Sequence, residues 1–232
     1  MIKGLGLLGG IVLALGLPLS ASTIGTFSMS GSITVNGFSS ITWNSDLGPG
    51  FAANMFTLTA GTGIYSTEDG QNGIANLTNP PEVVGSFPEM AFITFDVDTT
   101  VPNLLINQIV PGIYSDAACD TSPAAAGQHC TPAGSPFNFT NNSPTSSTAS
   151  FTFNGVTTDG HPWTALFTSQ FVTESYQDVL AGLASSGSVT ASYSAAEVTV
   201  STFVPEPSST SMLGIGAGLL LLSVTLKKCQ RT

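Results

Sequence analysis

Between Ser22 and Phe203 the chain has no lysine and no arginine. Its four basic residues, Lys3, Lys227, Lys228 and Arg231, all lie at the two ends. The same stretch carries 13 of the 14 carboxylates, so its formal charge is −13. A body without one cation cannot present the basic patch that nucleic acid requires. It cannot be drawn to anionic lipid either. It has no lysine for a Schiff base and no guanidinium to clamp a phosphate, which excludes kinase, nucleotidase and pyridoxal chemistry. No phosphate-cradling Gly-x-x-x-x-Gly-Lys loop and no Gly-x-Ser-x-Gly nucleophile elbow occurs. Histidine is nearly missing too, with only His129 and His161. Fixed-period repeats are absent, which removes solenoids and propellers. Charged residues make up 8% of the 232-residue chain, against about 25% in an ordinary globular protein.

The few cations therefore mark the ends. Lys3 and the free amine precede an uncharged Leu/Gly-rich core at 5–17, followed by the small residues Ser20, Ala21 and Ser22. This is the order of a secretory signal, with cleavage expected near residue 21. At the other end, Val204-Pro205-Glu206-Pro207-Ser208-Ser209 is a rigid, proline-flanked acidic motif. An apolar run, 212–226, follows it, and then Lys227, Lys228 and Arg231. Fifteen residues span about 22 Å as a helix. With the preceding serines and threonine the helix approaches the ~30 Å hydrocarbon thickness. The basic end should remain cytoplasmic. The expected division is a signal peptide over 1–21, a body over 22–203 and a tail over 204–232, with its transmembrane helix at 210–226. Cys229 lies beyond that helix and should face a reducing compartment.

Pro205-Glu206-Pro207, the short apolar helix and the basic end, in that order behind a signal peptide, closely resemble the PEP-CTERM sorting signal of bacterial exported proteins. The same tail domain has also been named after ice-binding proteins that carry it. The resemblance implies a partner, the membrane protease-transferase exosortase, which reads the tail and removes it near the motif. It implies a route from the inner membrane to the cell surface or extracellular matrix in bacteria that make exopolysaccharide. It covers sorting only, because tail-bearing proteins have unrelated bodies. The stretches Gly134-Ser135-Pro136-Phe137, Thr148-Ala149-Ser150-Phe151 and 167–171 are similar to bodies of other such proteins, which supply no activity to transfer.

The body holds all 14 phenylalanines, both tryptophans and all four tyrosines, in a background of Ser, Thr, Gly, Asn and Val. That is strand-and-turn composition with ample core material. Period-two alternation puts Phe27, Met29, Gly31, Ile33 and Val35 on one face, and Ser28, Ser30, Ser32 and Thr34 on the other. Asn36-Gly37 predicts a hairpin turn to a second strand ending at Trp43. Further strands are predicted at 51–58, 90–97, 104–110, 148–153, 164–172 and 189–203. Asn154-Gly155 fits either a hairpin turn or a glycine bulge within one longer strand. Asp159-Gly160 suits a turn, 68–73 reads as an acidic turn, and 141–147 as a polar one. One helix is predicted at 176–185, capped by Ser175 and ended by Gly187. The expected fold is all-β, an antiparallel β-sandwich or jelly roll with one short helix plugging an end.

Cys119 and Cys130 enclose a segment rich in Ala, Gly and Pro that lacks periodicity. In an exported protein such a pair is expected to be a disulfide. The alternative, a metal site with His129, lacks a Cys-x-x-Cys pair. Asp96 and Asp98 share a strand face and carry three readings: a solvated outer face, a Ca²⁺ site, or the carboxylates of an inverting glycosidase. No other cofactor is expected. Asp159 and His161 flank a turn where polar residues are ordinary, which argues against triad chemistry. Trp43, Trp163, Tyr65 and Tyr114 could form a sugar-stacking platform, although most aromatics in such a chain are core. Thr57 with Thr59, and Thr199 with Ser201, are isolated pairs and do not make the regular array that ice binding would want. Thirteen carboxylates without basic partners repel one another, and salt, divalent cations or low pH should relieve that. The expectation is a non-enzymatic surface or matrix protein. The alternatives are a carbohydrate-binding module for exopolysaccharide and a secreted carboxylate-dependent hydrolase.

Overall fold

The computed structural model describes residues 22–38, 40–44, 54–68, 70–78, 84–95 and 100–202. Ser22–Phe203 forms one compact unit. The signal at 1–21 and the whole tail, with its predicted transmembrane helix, lie outside the described residues, as do Asp96 and Asp98. No helix among the described residues is long and apolar enough to cross a membrane.

Twelve strands form among the described residues. The long ones are β1 (Thr23–Asn36), β10 (Ser146–Thr157), β11 (Pro162–Phe171) and β12 (Ser188–Ser201). Between β1 and β10 come β2 (Ser40–Asn44), β3 (Met55–Gly63), β4 (Gly70–Ile74), β5 (Leu77–Thr78), β6 (Gly85–Thr94), β7 (Leu104–Ile109), β8 (His129–Cys130) and β9 (Asn138–Ser143). The expected sandwich is not what they build. Hydrogen bonding runs β11-β12-β1-β3-β4-β6-β7-β10, and β10 pairs back to β11 over ten residues, which closes an eight-stranded antiparallel barrel. Closure removes the free edges that a sandwich would have to protect.

At one end of the barrel the pairing along β1 and along β10 forks. Residues 25–30 of β1 pair with β3, whereas 32–36 pair with β2. Residues 153–157 of β10 pair with β7, whereas 146–150 pair with β9. Helix α1 (Tyr176–Ser186) packs on β9, β10 and β12 at the forked end. Val179 and Leu183 meet Ile33, Phe139, Ala149 and Phe151 around one apolar cavity there. The predicted caps hold. Ser175 and Asp178 make a reciprocal capping box, and Gly187 closes the helix at φ 77°.

The lumen is filled rather than hollow. Trp43 lies 4.9 Å from the Tyr193 ring, 5.3 Å from Phe167 and 5.9 Å from Phe92, mostly in tilted or edge-on contacts. Trp163 stacks on Phe92 at 5.9 Å and donates its indole N–H to the Leu105 carbonyl at 2.9 Å. Outward faces carry hydroxyls, and pairing lines them up across strands. One row runs Asn154, Thr164, Thr199, Thr26, Thr62, and a second runs Ser150, Thr168, Ser194, Ser30, Thr57. Hydroxyls in and beside these rows bond to one another, as in Thr26–Thr62 and Thr34–Thr190, both at 2.8 Å. Thr57 and Thr199, each a member of a pair that looks isolated along the chain, thus belong to cross-strand rows.

Candidate functional site

The barrel end away from α1 carries a cleft of about 560 Å³. Both chain ends of the body emerge beside it. The Thr202 amide donates to the Ser22 carbonyl at 2.8 Å, and the Ser22 amide to the Thr202 hydroxyl at 3.0 Å. Besides Ile24 of β1, three pieces of chain line the cleft, and each is held by local bonding.

The first is the β10–β11 turn. The Thr157 amide donates to the His161 carbonyl at 2.7 Å, and the His161 amide to the Thr157 hydroxyl at 2.8 Å. Gly160 takes φ 91°, which suits glycine. The Thr157 hydroxyl also donates to Asp159 Oδ1. Asp159 Oδ2 faces His161 Nε2 at 3.8 Å. His161 Nδ1 is buried and has no hydrogen-bond partner among the described residues. The second piece is the turn after β3, where Gly63 at φ 59° reverses the chain and places Ile64, Ser66 and Thr67 on the rim. The third is the segment before β7, supplying Thr100, Val101 and Pro102. The Thr158 amide ties that segment to the β10–β11 turn through the Asn103 carbonyl at 2.9 Å.

Tyr65 underlies the same turn and is fully buried, with its ring 4.9 Å from Phe27 and 5.2 Å from Phe95. Its hydroxyl finds no partner among the described residues. Burial first, and the Asp159 carboxylate second, push its phenol well above the ordinary tyrosine range. The folded phenol therefore stays neutral where an unfolded chain would ionise. The resulting stability is complete below pH ~10 and is lost as pH rises beyond it, by at most about 1.4 kcal/mol per pH unit. Tyr65→Phe should leave neutral-pH stability unchanged or raise it by about 1 kcal/mol, because a buried unbonded hydroxyl is removed. It should also flatten the alkaline loss. Urea midpoints at neutral and strongly alkaline pH check both; an equally steep loss in the variant would contradict them.

The structure thus brings Asp159 and His161, which the sequence places in an ordinary turn, together with Ser66, a residue that no motif singles out. Only the pairing of distant loops reveals that grouping. The sugar-stacking platform does not form: Trp43, Tyr65 and Trp163 are core residues, and only Tyr114 reaches the surface, its ring 4.3 Å from His129. Cys119 and Cys130 lie at disulfide distance, with Cα atoms 5.1 Å apart. His129 turns away from them, its Nδ1 3.2 Å from the Gly127 carbonyl oxygen. Among the described residues no group of three or more His, Cys, Asp or Glu side chains is placed to hold a metal. Pro205, Glu206, Pro207, Lys227, Lys228 and Arg231 lie outside the described residues. No protein-family model matches the chain, and neither a curated protein nor a solved structure matches it.

Proposed function

We propose that the chain is an exported protein, sorted through its tail to the cell surface or extracellular matrix, whose barrel body serves a non-enzymatic structural or interaction role. The observation that carries this reading is the Cys119–Cys130 pair. Cytosolic thiols are kept reduced, and a structural disulfide in a bacterial protein belongs to an oxidising compartment. The placement of Lys3 before the signal core and of Lys227, Lys228 and Arg231 after the apolar run supports the same route, since cations beside a membrane-inserting segment stay on the cytoplasmic side. In this reading Pro205, Glu206 and Pro207 are recognised by an exosortase-type partner, and Lys227, Lys228 and Arg231 hold the tail's end in the cytoplasm.

Intact mass and fractionation of the native-host protein test the proposal, beside a Glu206→Ala, Pro207→Ala version. The wild type is expected to lose about the mass of the tail and to appear at the surface or in the medium. The variant is expected to stay full length in the inner membrane. If both remain full length in the membrane, the motif is incidental.

A further inference from the structure

We propose that the cleft at the terminal end of the barrel is a binding site for a primary alkylammonium group, the charge of Asp159 taking the ammonium and the aliphatic walls taking its methylene stem. The inference goes beyond sorting and does not depend on it.

Charge comes first. Asp159 has no lysine or arginine within the body to pair with. One of its oxygens is occupied by the Thr157 hydroxyl. The other stands 3.8 Å from His161 Nε2, beyond hydrogen-bond reach, and the carboxylate side chain is 51% exposed. A body of formal charge −13 repels anions from such a cleft and concentrates cations in it. An ammonium offers three N–H donors, and two residues that carry hydroxyl acceptors, Ser66 and Thr67, line the same cleft.

The walls decide which cation. Ile24, Ile64, Val101 and Pro102 are aliphatic, and Ile64 is 38% exposed. Quaternary ammonium groups are recognised by cages of several aromatic rings, and no Phe, Tyr or Trp lines this cleft, whose one ring is the His161 imidazole. Tyr65 is buried beneath the cleft. A guanidinium would want a planar bidentate carboxylate, which the Thr157 bond to Oδ1 compromises. A compact ammonium on a flexible methylene stem fits both the point charge and the apolar walls. Such a group exists as a free diamine or as a lysine side chain on another molecule.

Full-length protein in non-ionic detergent, with methyl-labelled isoleucine, gives the test by NMR titration. The probes are 1,5-diaminopentane, a lysine capped at both backbone ends, and glucose. The methyls of Ile24 and Ile64 should shift with an ammonium probe, with Kd in the millimolar range expected for a part-exposed ion pair, while buried Ile33 and Ile106 stay still. Binding by the diamine alone points to a free amine; binding by capped lysine points to a side chain. Asp159→Asn should weaken binding by about tenfold, and Ile64→Ser should weaken it without altering net charge. Asp116→Asn, which removes one charge elsewhere, should change little. A thermal melt of each variant verifies folding. The proposal is overturned if glucose shifts the same methyls as readily as the amines. It is also overturned if Asp116→Asn weakens binding as much as Asp159→Asn, or if no ammonium probe moves Ile24 or Ile64.

Discussion

Gly155→Ala is expected to destabilise the body by about 4 kcal/mol and to lower its Tm by about 10 °C, although it adds a single methyl group. A Cβ on Gly155 would collide with the carbonyl oxygen of Leu105 and come within 2.7 Å of Trp163 Nε1. Leu105 belongs to β7 and cannot retreat without opening the β7–β10 seam of the barrel. The Trp163 indole cannot retreat either, because it is stacked on Phe92 and bonded to that same Leu105 carbonyl. Either shift breaks a buried hydrogen bond, at about 1–3 kcal/mol, in addition to the overpacking. Gly182→Ala is the matched control. Nothing lies within 4 Å of its added methyl, and it sits inside α1, so a gain of up to about 1 kcal/mol is expected. Urea unfolding of the three proteins decides the matter. A Gly155→Ala loss below about 1 kcal/mol would mean that Asn154-Gly155 is an exposed turn after all.

That dipeptide shows where the sequence stops being informative. Asn-Gly is equally good chemistry for a two-residue hairpin and for a bulge, and the choice lies with the strands on either side. Here β10 runs straight through to Thr157, and the irregularity appears as a register shift against β7 between Asn154 and Gly155. Local patterns were legible wherever one face is buried. The alternation from Phe27 to Val35 and the Ser175–Gly187 helix both stand in the structure as the side-chain periods imply. Short strands made of turn-like residues were not legible. β4 is Gly-Gln-Asn-Gly-Ile and β9 is Asn-Phe-Thr-Asn-Asn-Ser, compositions that belong to loops until a long neighbour supplies the pairing. Both are held that way, β4 between β3 and β6, and β9 against β10.

The step from sandwich to barrel has the same origin. Alternation says that a strand has an inside and an outside, but a sandwich and a barrel give identical alternation. What distinguishes them is the partner of each edge, and the β10–β11 seam together with the β3-β4-β6-β7 connection is information about distant pairs. The candidate cleft was illegible for that reason too. Ile24, Ile64, Val101 and Asp159 are spread over 136 positions and meet only because the barrel closes.

Removing the disulfide, by Cys119→Ser with Cys130→Ser or by reduction, is expected to cost about 3 kcal/mol, close to 10 °C in Tm. Loop closure supplies the estimate, since the bond spans 11 positions of a segment with little core of its own. The segment's other attachments predict how the loss is distributed. Gln128 Oε1 accepts from Gln177 Nε2 at 2.9 Å and from Asn141 Nδ2 at 3.3 Å. Gln177 also donates to the Thr121 carbonyl at 2.8 Å, and the Tyr176 hydroxyl to the Ala118 carbonyl at 2.9 Å. These partners sit in the first turn of α1, and Asn141 Oδ1 accepts the Tyr176 amide there at 2.8 Å. Opening the loop should therefore loosen α1 at its start and expose the apolar cavity beneath it, while the closed barrel persists. Cleavage by an Asp-directed protease reads this directly. Trypsin cannot, because Ser22–Phe203 contains no lysine or arginine. Without the bond, cuts should appear first at Asp116 and Asp120, then at Asp178, with hydrogen exchange in β11 and β12 still slow. Simultaneous loss of protection in α1 and in β11 and β12 would show instead that the disulfide holds the barrel itself together.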